Sequence, residues 1–277
     1  MRIRAKFAAA FALAAAFLCA FPFCGCGRAD SENGRDYGVF LSLDSSDMDK
    51  IEGYQTVVID AQYFSESDIS HLKEQGSAVY SYLNVGSVED FRDYFDTYST
   101  LALGDYENWD GEKWVDVSAQ AWQSFLAELE ESLLEKDIDG FFVDNCDVYY
   151  EYPTEEIFDG LSAILLHLME HGKPVIINGG DSFVTEYRER NGSIKQVMTG
   201  VNQESVWSRI DFETNRFSAQ PKEEREYFRS YVETCAADGI EVYLLEYTTD
   251  PALKKRIVQY CSENGFLYYI SDSIELD

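Results

Sequence analysis

Residues 37–277 predict a single (β/α)8 barrel, and three observations carry that reading. Short apolar runs of strand length recur eight times along the chain. Between them lie stretches with helical periodicity. Gly76, Gly172, Gly239 and Gly265 each follow a helical run and precede a strand, where a helix stop signal belongs. Eight such units over this length match the size and order of a barrel. A doubly wound open sheet is the alternative α/β fold, but no glycine-rich phosphate turn follows the first strand.

The elements follow in order. Residues 1–25 read as a lipoprotein signal peptide: Arg2, Arg4 and Lys6 form a basic start, and 7–23 an apolar segment short for a stable membrane span. Phe23-Cys24-Gly25-Cys26 resembles the bacterial lipoprotein box with Cys26 as the lipidated residue, although Phe23 stands where an aliphatic residue is usual. The expected location is therefore outside the cell, anchored through Cys26, with a cleaved and released product as the alternative. Residues 26–36, rich in polar and small side chains, read as a flexible linker. Strands are expected at 37–43, 56–61, 78–84, 140–144, 174–178, 196–201, 241–247 and 266–270. Helices are expected at 66–75, 119–136, 154–170, 182–190, 222–237 and 251–263. The second of these places Trp122, Phe125, Leu126, Leu129, Leu133 and Leu134 along one face, with glutamates on the others. Pro251 opens the last, where its missing N–H costs nothing. Residues 85–137 hold the one long insertion, with Trp109, Trp114 and several tyrosines.

The net charge is −29, and loss of the three basic and no acidic residues of 1–25 makes it −32. Such a surface repels nucleic acid and anionic lipid headgroups and favours a neutral or cationic partner. The membrane is expected to be touched through the lipid anchor alone, and the protein is expected to be monomeric. Outside the signal, Cys146, Cys235 and Cys261 lack the paired spacing of a zinc site. Three buried thiols are expected, with one disulfide and a free thiol as the alternative. His71, His167 and His171 all fall in helices, away from strand ends. Neither a histidine triad nor a metal centre is expected, and no cofactor.

In a barrel the C-terminal ends of all strands open onto one face. There the chain places Asp60 and Tyr63 after the second strand, Tyr82 and Asn84 at the third, and Asp144, Asn145, Asp147 and Tyr149 at the fourth. Asn178 ends the fifth; Gln203 and Glu204 follow the sixth; Glu246 and Tyr247 end the seventh; Asp272 follows the eighth. Any single acid here reads equally well as a helix cap. Polar groups at seven of eight strand ends favour a site. Carboxylates among amides and aromatics suit carbohydrate, where one acid protonates the glycosidic oxygen and another meets the oxocarbenium-like carbon. Asp144-Asn145-Cys146-Asp147 offers oxygen ligands for calcium, but the further ligands of a calcium loop do not follow.

Tyr82-Leu83-Asn84-Val85-Gly86, the run from Asp139 to Tyr149 and Val201-Asn202-Gln203-Glu204-Ser205 resemble, in order, motifs of glycoside hydrolase family 114. These are endo-α-1,4-polygalactosaminidases with a TIM-barrel domain, and the resemblance spans essentially all of 37–277. It implies a hydrolase acting on α-1,4-linked galactosamine or N-acetylgalactosamine polymers of microbial exopolysaccharide. It also implies Asp144 as nucleophile or charge stabiliser and Glu204 as general acid/base, with retention at the anomeric carbon. Family members commonly carry an acid directly after the Val-Gly pair. Here Ser87 stands there, which implies a changed subsite for a substrate amine. A carbohydrate-binding lipoprotein without catalysis and a glycosidase for another α-glycan are the alternatives.

Overall fold

The computed structural model describes residues 35–107 and 109–277. The signal segment, Cys26 and the linker up to residue 34 lie outside them. Eight parallel strands form the barrel: β1 (Tyr37–Phe40), β2 (Thr56–Ile59), β3 (Ala78–Asn84), β4 (Gly140–Asp144), β5 (Val175–Asn178), β6 (Gly200–Glu204), β7 (Glu241–Tyr247) and β8 (Leu267–Ser271). Each pairs in parallel with the next in sequence. β8 lies beside β1 and all but closes the ring, although no ladder joins them. Helices Met48–Ile51, Glu66–Glu74, Gln120–Leu134, Glu155–Glu170, Asp181–Asn191, Lys222–Ala237 and Pro251–Asn264 follow the first seven strands in turn. Among the described residues no helix is long and apolar enough to cross a membrane.

Successive strand side chains point to opposite faces, and this alternation divides the core in two. Tyr37, Val58, Tyr80, Tyr82, Phe142, Ile176, Tyr243 and Leu245 fill the barrel interior. Val57, Ile59, Phe141, Val143, Ile177, Val201 and Leu244 pack outward under the helices. Extending the inward parity to the strand ends carries Asp60, Asn84, Asp144, Asn178, Asn202, Glu204, Tyr247 and Ser271 over the barrel mouth. Glu246 and Asp272 have the outward parity.

β6 differs most from its expected span of 196–201. Ile194, Val197 and Met198 are buried at helical spacing, and the amides of Val197 and Met198 both donate to Ile194 O. A helical turn therefore occupies the apolar stretch. The strand is the polar segment after it, tolerated because Asn202 is hydrogen-bonded in the interior to Tyr37 and Asn178. β1 ends sooner than expected, at bends over 41–42, and β2 does so because Asp60 accepts the Gln62 amide and turns 61–63 into a 3-10 helix. Cys146, Cys235 and Cys261 are buried free thiols.

The 85–137 insertion contains an antiparallel sheet, with Glu112–Val115 between Ser87–Glu89 and Ala102–Asp105. It approaches the barrel where Gly86 meets the turn after β4. A Cβ on Gly86 would stand 1.9 Å from Asn145 O, so only glycine lets the two segments touch. Asn145 itself has φ 65°, a left-handed conformation that asparagine tolerates better than most residues.

Candidate active site

A cleft of about 460 Å³ opens over the barrel mouth. At its floor Asn178 connects two carboxylates. Its Nδ2 donates to Asp144 Oδ1 at 2.9 Å and to Glu204 Oε1 at 2.8 Å. Those oxygens are thus no further apart than the two bonds laid end to end, about 5.7 Å. The amide cannot turn over freely. Asn202 donates to Asn178 Oδ1 at 2.7 Å, and Tyr37 in β1 donates to Asn202 Oδ1 at 3.1 Å. A chain of buried polar groups across the barrel therefore aims the Asn178 NH2 at both acids. Tyr247 completes the arrangement by donating from Oη to Glu204 Oε2 at 2.8 Å.

Burial is the largest influence on both acids and raises both above the ordinary carboxylate range. The donors Asn178 and Tyr247 oppose it at Glu204. Asp144 is pushed up to about 7, by burial first and by the charge on Glu204 second, against the Asn178 hydrogen bond. Two carboxyl groups this close titrate as a coupled pair, the loss of the first proton making the second harder to remove. Asn178→Ala removes a bond that lowers both values, so both limbs of the pH–activity profile should move upward; a profile left in place would show that Asn178 does not tune the pair.

The remaining strand-end residues divide by location. Asp147 lines the cleft, accepts the Gly180 amide at 3.2 Å and is pushed up to about 7 by burial and by nearby Asp181. Gln203 also lines it. Its Nε2 donates to Glu204 O, while its buried Oε1 has no hydrogen-bond partner among the described residues. Tyr82, Asn145 and the half-exposed Tyr63 contribute to the wall. Asp60 lines it too, but its Oδ2 is 2.6 Å from Arg92 Nη1 in a buried ion pair.

Four of the expected substrate contacts are not in the cleft lining. Asn84 lies below it, donating to Ser87 Oγ at 2.7 Å. Tyr149 packs edge-on against Phe158 and Phe183. Asp272 is exposed on the outward parity of β8. Glu246 is fully buried and outward on β7, where it accepts the Trp207 amide at 2.9 Å and both the amide and the hydroxyl of Ser208. Its role is to tie down the hairpin of Ser208–Asp211 and Arg216–Ala219.

Other lining residues come from loops. Glu112, from the insertion sheet, receives Ser87 Oγ, Asn145 Nδ2 at 3.0 Å and Asn84 Nδ2 at 3.3 Å. An acid thus stands beside Ser87 after all, supplied from 25 residues downstream. Trp109 and Phe212 meet edge to face at the rim, centroids 6.2 Å apart, both partly exposed. In sequence only the aromatic density of the insertion hinted at such a wall. Among the described residues, eight carboxylates line the cleft against one cation, Arg92, which is already shared between Asp60 and Glu89.

The model of glycoside-hydrolase family GH114 matches residues 29–273. The chain belongs to this family. As a GH114 member it is a glycoside hydrolase, and the paired acids lie where a barrel enzyme places its chemistry. Among solved structures it is similar to the glycoside hydrolase domain of PelA from Pseudomonas aeruginosa, at 19% identity over 87% of this chain and 96% of that one, TM-score 0.74. It is also similar to Aspergillus fumigatus Ega3 in complex with galactosamine, at 15% identity over 91% and 96% of the two chains, TM-score 0.67. A Thermus thermophilus α-galactosidase shares the fold more loosely, at 14% identity over 86% of this GH114 chain and 58% of its own, TM-score 0.55. No curated protein sequence matches the chain.

Proposed function

We propose that this GH114 protein cleaves α-1,4-linked galactosamine or N-acetylgalactosamine polymers with retention, as an exported monomer tethered through Cys26. The observation that carries the reading is the Asp144–Asn178–Glu204 bridge on the floor of a carboxylate-lined cleft. Retaining enzymes hold their two carboxyl groups about 5–5.5 Å apart and inverting ones about 6.5–9.5 Å. A spacing of at most about 5.7 Å between the bridged oxygens leaves little room for the water that inversion requires.

In this reading the Asp144 carboxylate attacks the anomeric carbon as the glycosidic C–O bond breaks, and Glu204 gives its proton to the departing oxygen. Water then enters, loses a proton to Glu204 and displaces Asp144, so two inversions restore the α configuration. In the empty site the donors on Glu204 favour its ionised form, so the split of roles rests on the family motif. Trp109 and Phe212 offer apolar faces to sugar rings. The excess of carboxylates, Glu112 among them, favours substrate carrying protonated amines. Neighbouring Ega3, described in complex with galactosamine, supports the same substrate class.

The test is digestion of defined α-1,4-linked galactosamine oligomers and their N-acetylated forms, followed by mass spectrometry and by NMR of the first-formed anomer. Shortened chains with the α anomer appearing first are expected, at higher kcat/KM for oligomers with free amines. A β anomer appearing first overturns retention, and binding without shortening overturns catalysis.

A further inference from the structure

On the barrel's outer layer, outside the cleft lining, two of the protein's three histidines converge on a buried acid. Glu130 belongs to helix Gln120–Leu134 and has a side chain 1% exposed. His167 and His171 lie four residues apart at the end of the neighbouring helix Glu155–Glu170, with His171 as its C-cap. That spacing puts both imidazoles on one face. His171 Nε2 stands 3.4 Å from Glu130 Oε2, and His167 Nε2 stands 3.6 Å from the same oxygen. No lysine or arginine pairs with Glu130 among the described residues.

Two features separate this cluster from an ordinary hydrogen-bonded one. Both N···O distances exceed the usual range of about 2.7–3.2 Å for such a bond. They instead match the spacing of two ligands on a tetrahedral ion, about 3.4 Å when each bond is about 2.0–2.1 Å. Also, the other ring nitrogen of His167 already faces a carboxylate, with Nδ1 3.4 Å from Glu170 Oε2. At that distance the carboxylate acts on the ring as a nearby negative charge, on the side where a metal-bound histidine usually carries a carboxylate. Exposure is graded, from 1% at Glu130 through 17% at His171 to 43% at His167, so one side is open for entry and for a fourth, water ligand. A carboxyl group this buried is neutralised either by a proton or by a compensating charge, and a divalent cation supplies the latter.

We propose that Glu130, His167 and His171 form a binding site for a divalent transition-metal ion of the zinc class, which clamps together the helices that follow β3 and β4. Two imidazoles and one carboxylate are a recognised ligand set for zinc, while calcium and magnesium call for more oxygen. The placement of the histidines in helices argues against a metal centre at the strand ends and leaves the helical layer open. The helical spacing of His167 and His171 was visible, but their buried partner 37 residues before His167 was not.

The experiment is titration of metal-stripped, tag-free protein with Co2+ and Zn2+, comparing wild type with His167→Ala, with the double variant His167→Ala/His171→Ala and with Glu130→Gln. Wild type is expected to take up one Co2+ with the visible absorption bands of four-coordinate cobalt, displaced by Zn2+, and Zn2+ should raise its thermal midpoint. His167 is partly exposed, so its alanine variant should fold normally by circular dichroism yet bind at least tenfold more weakly. The double variant should lose the cobalt bands. Four-coordinate bands that persist in the double variant place the ion elsewhere, for instance among the cleft acids, and overturn the proposal. So does wild-type protein that shows no such bands at saturating Co2+.

Discussion

Glu204→Gln is expected to lower turnover of an α-1,4-linked galactosamine polymer by about 10²–10⁴-fold, the usual contribution of a general acid. Glutamine keeps the shape of the side chain and can still meet Asn178 and Tyr247, so the fold should be unchanged. The loss should depend on the leaving group. A nitrophenyl glycoside departs without protonation, so the glycosyl-enzyme should still form on Asp144 and then accumulate, seen as a burst of nitrophenol. Asp144→Asn should abolish both substrates alike. If Asp144→Asn shows the leaving-group dependence and Glu204→Gln does not, the roles are reversed, as the resting hydrogen bonds on Glu204 would suit. Full activity in either variant removes the pair from the mechanism. The pH profile gives a second reading. Wild type needs one proton on the pair, so activity should fall at low pH when both are protonated and at high pH when both are ionised. In wild type the basic limb is loss of the Glu204 proton, so in Glu204→Gln that limb should disappear, while the acid limb, set by Asp144 beside an uncharged neighbour in both proteins, should stay in place.

Why the sequence led to this pair, and misplaced others, follows from which signals are local. Asp144 and Asn178 each end an apolar run, and the run fixes both strand and parity. Glu204 was legible through its motif, because β6 is itself polar and its strand was expected over 196–201, where a helical turn lies. Glu246 and Asp272 lie outside the cleft lining, as the period of two dictates. Counting by twos from Leu245 reaches Tyr247, and from Tyr269 reaches Ser271, so the two acids point outward. Glu112 and the Trp109–Phe212 rim could not be read that way. They lie in excursions whose return to the mouth depends on tertiary contacts, such as Gly86 against Asn145, that leave no periodic trace. Arg92 carries the same lesson, since nothing local links it to an aspartate 32 positions earlier.

Arg92→Met is expected to be the most destabilising single substitution near the cleft, by about 3–5 kcal/mol at pH 8, as when one partner of a buried ion pair is removed. The guanidinium side chain is 4% exposed and lies between Asp60, 3% exposed, and Glu89, 9% exposed. It donates Nη1 to Asp60 at 2.6 Å, and Nε and Nη2 to the two oxygens of Glu89 at 3.2 and 3.1 Å. This joins the end of β2 to the first strand of the insertion, and so fixes the wall formed by Tyr63, Tyr82 and Phe91, whose rings surround the same cation. Methionine roughly keeps the volume, leaving two buried carboxylates without their counterion. The sign of the pH dependence follows from Asp60. Burial already raises its pKa despite Arg92, and without Arg92 the value rises further. An acid raised on folding binds its proton more tightly in the native state, so the variant regains stability as pH falls through that raised value toward the unfolded value of about 4. Urea unfolding at pH 5 and pH 8 should therefore show a deficit that is smaller at pH 5, with an unchanged dependence on denaturant. A loss below about 1 kcal/mol at pH 8, the range of exposed pairs, would mean that Arg92 does not hold the wall. An equal loss at both pH values would show that the cost is one of packing and not of stranded charge.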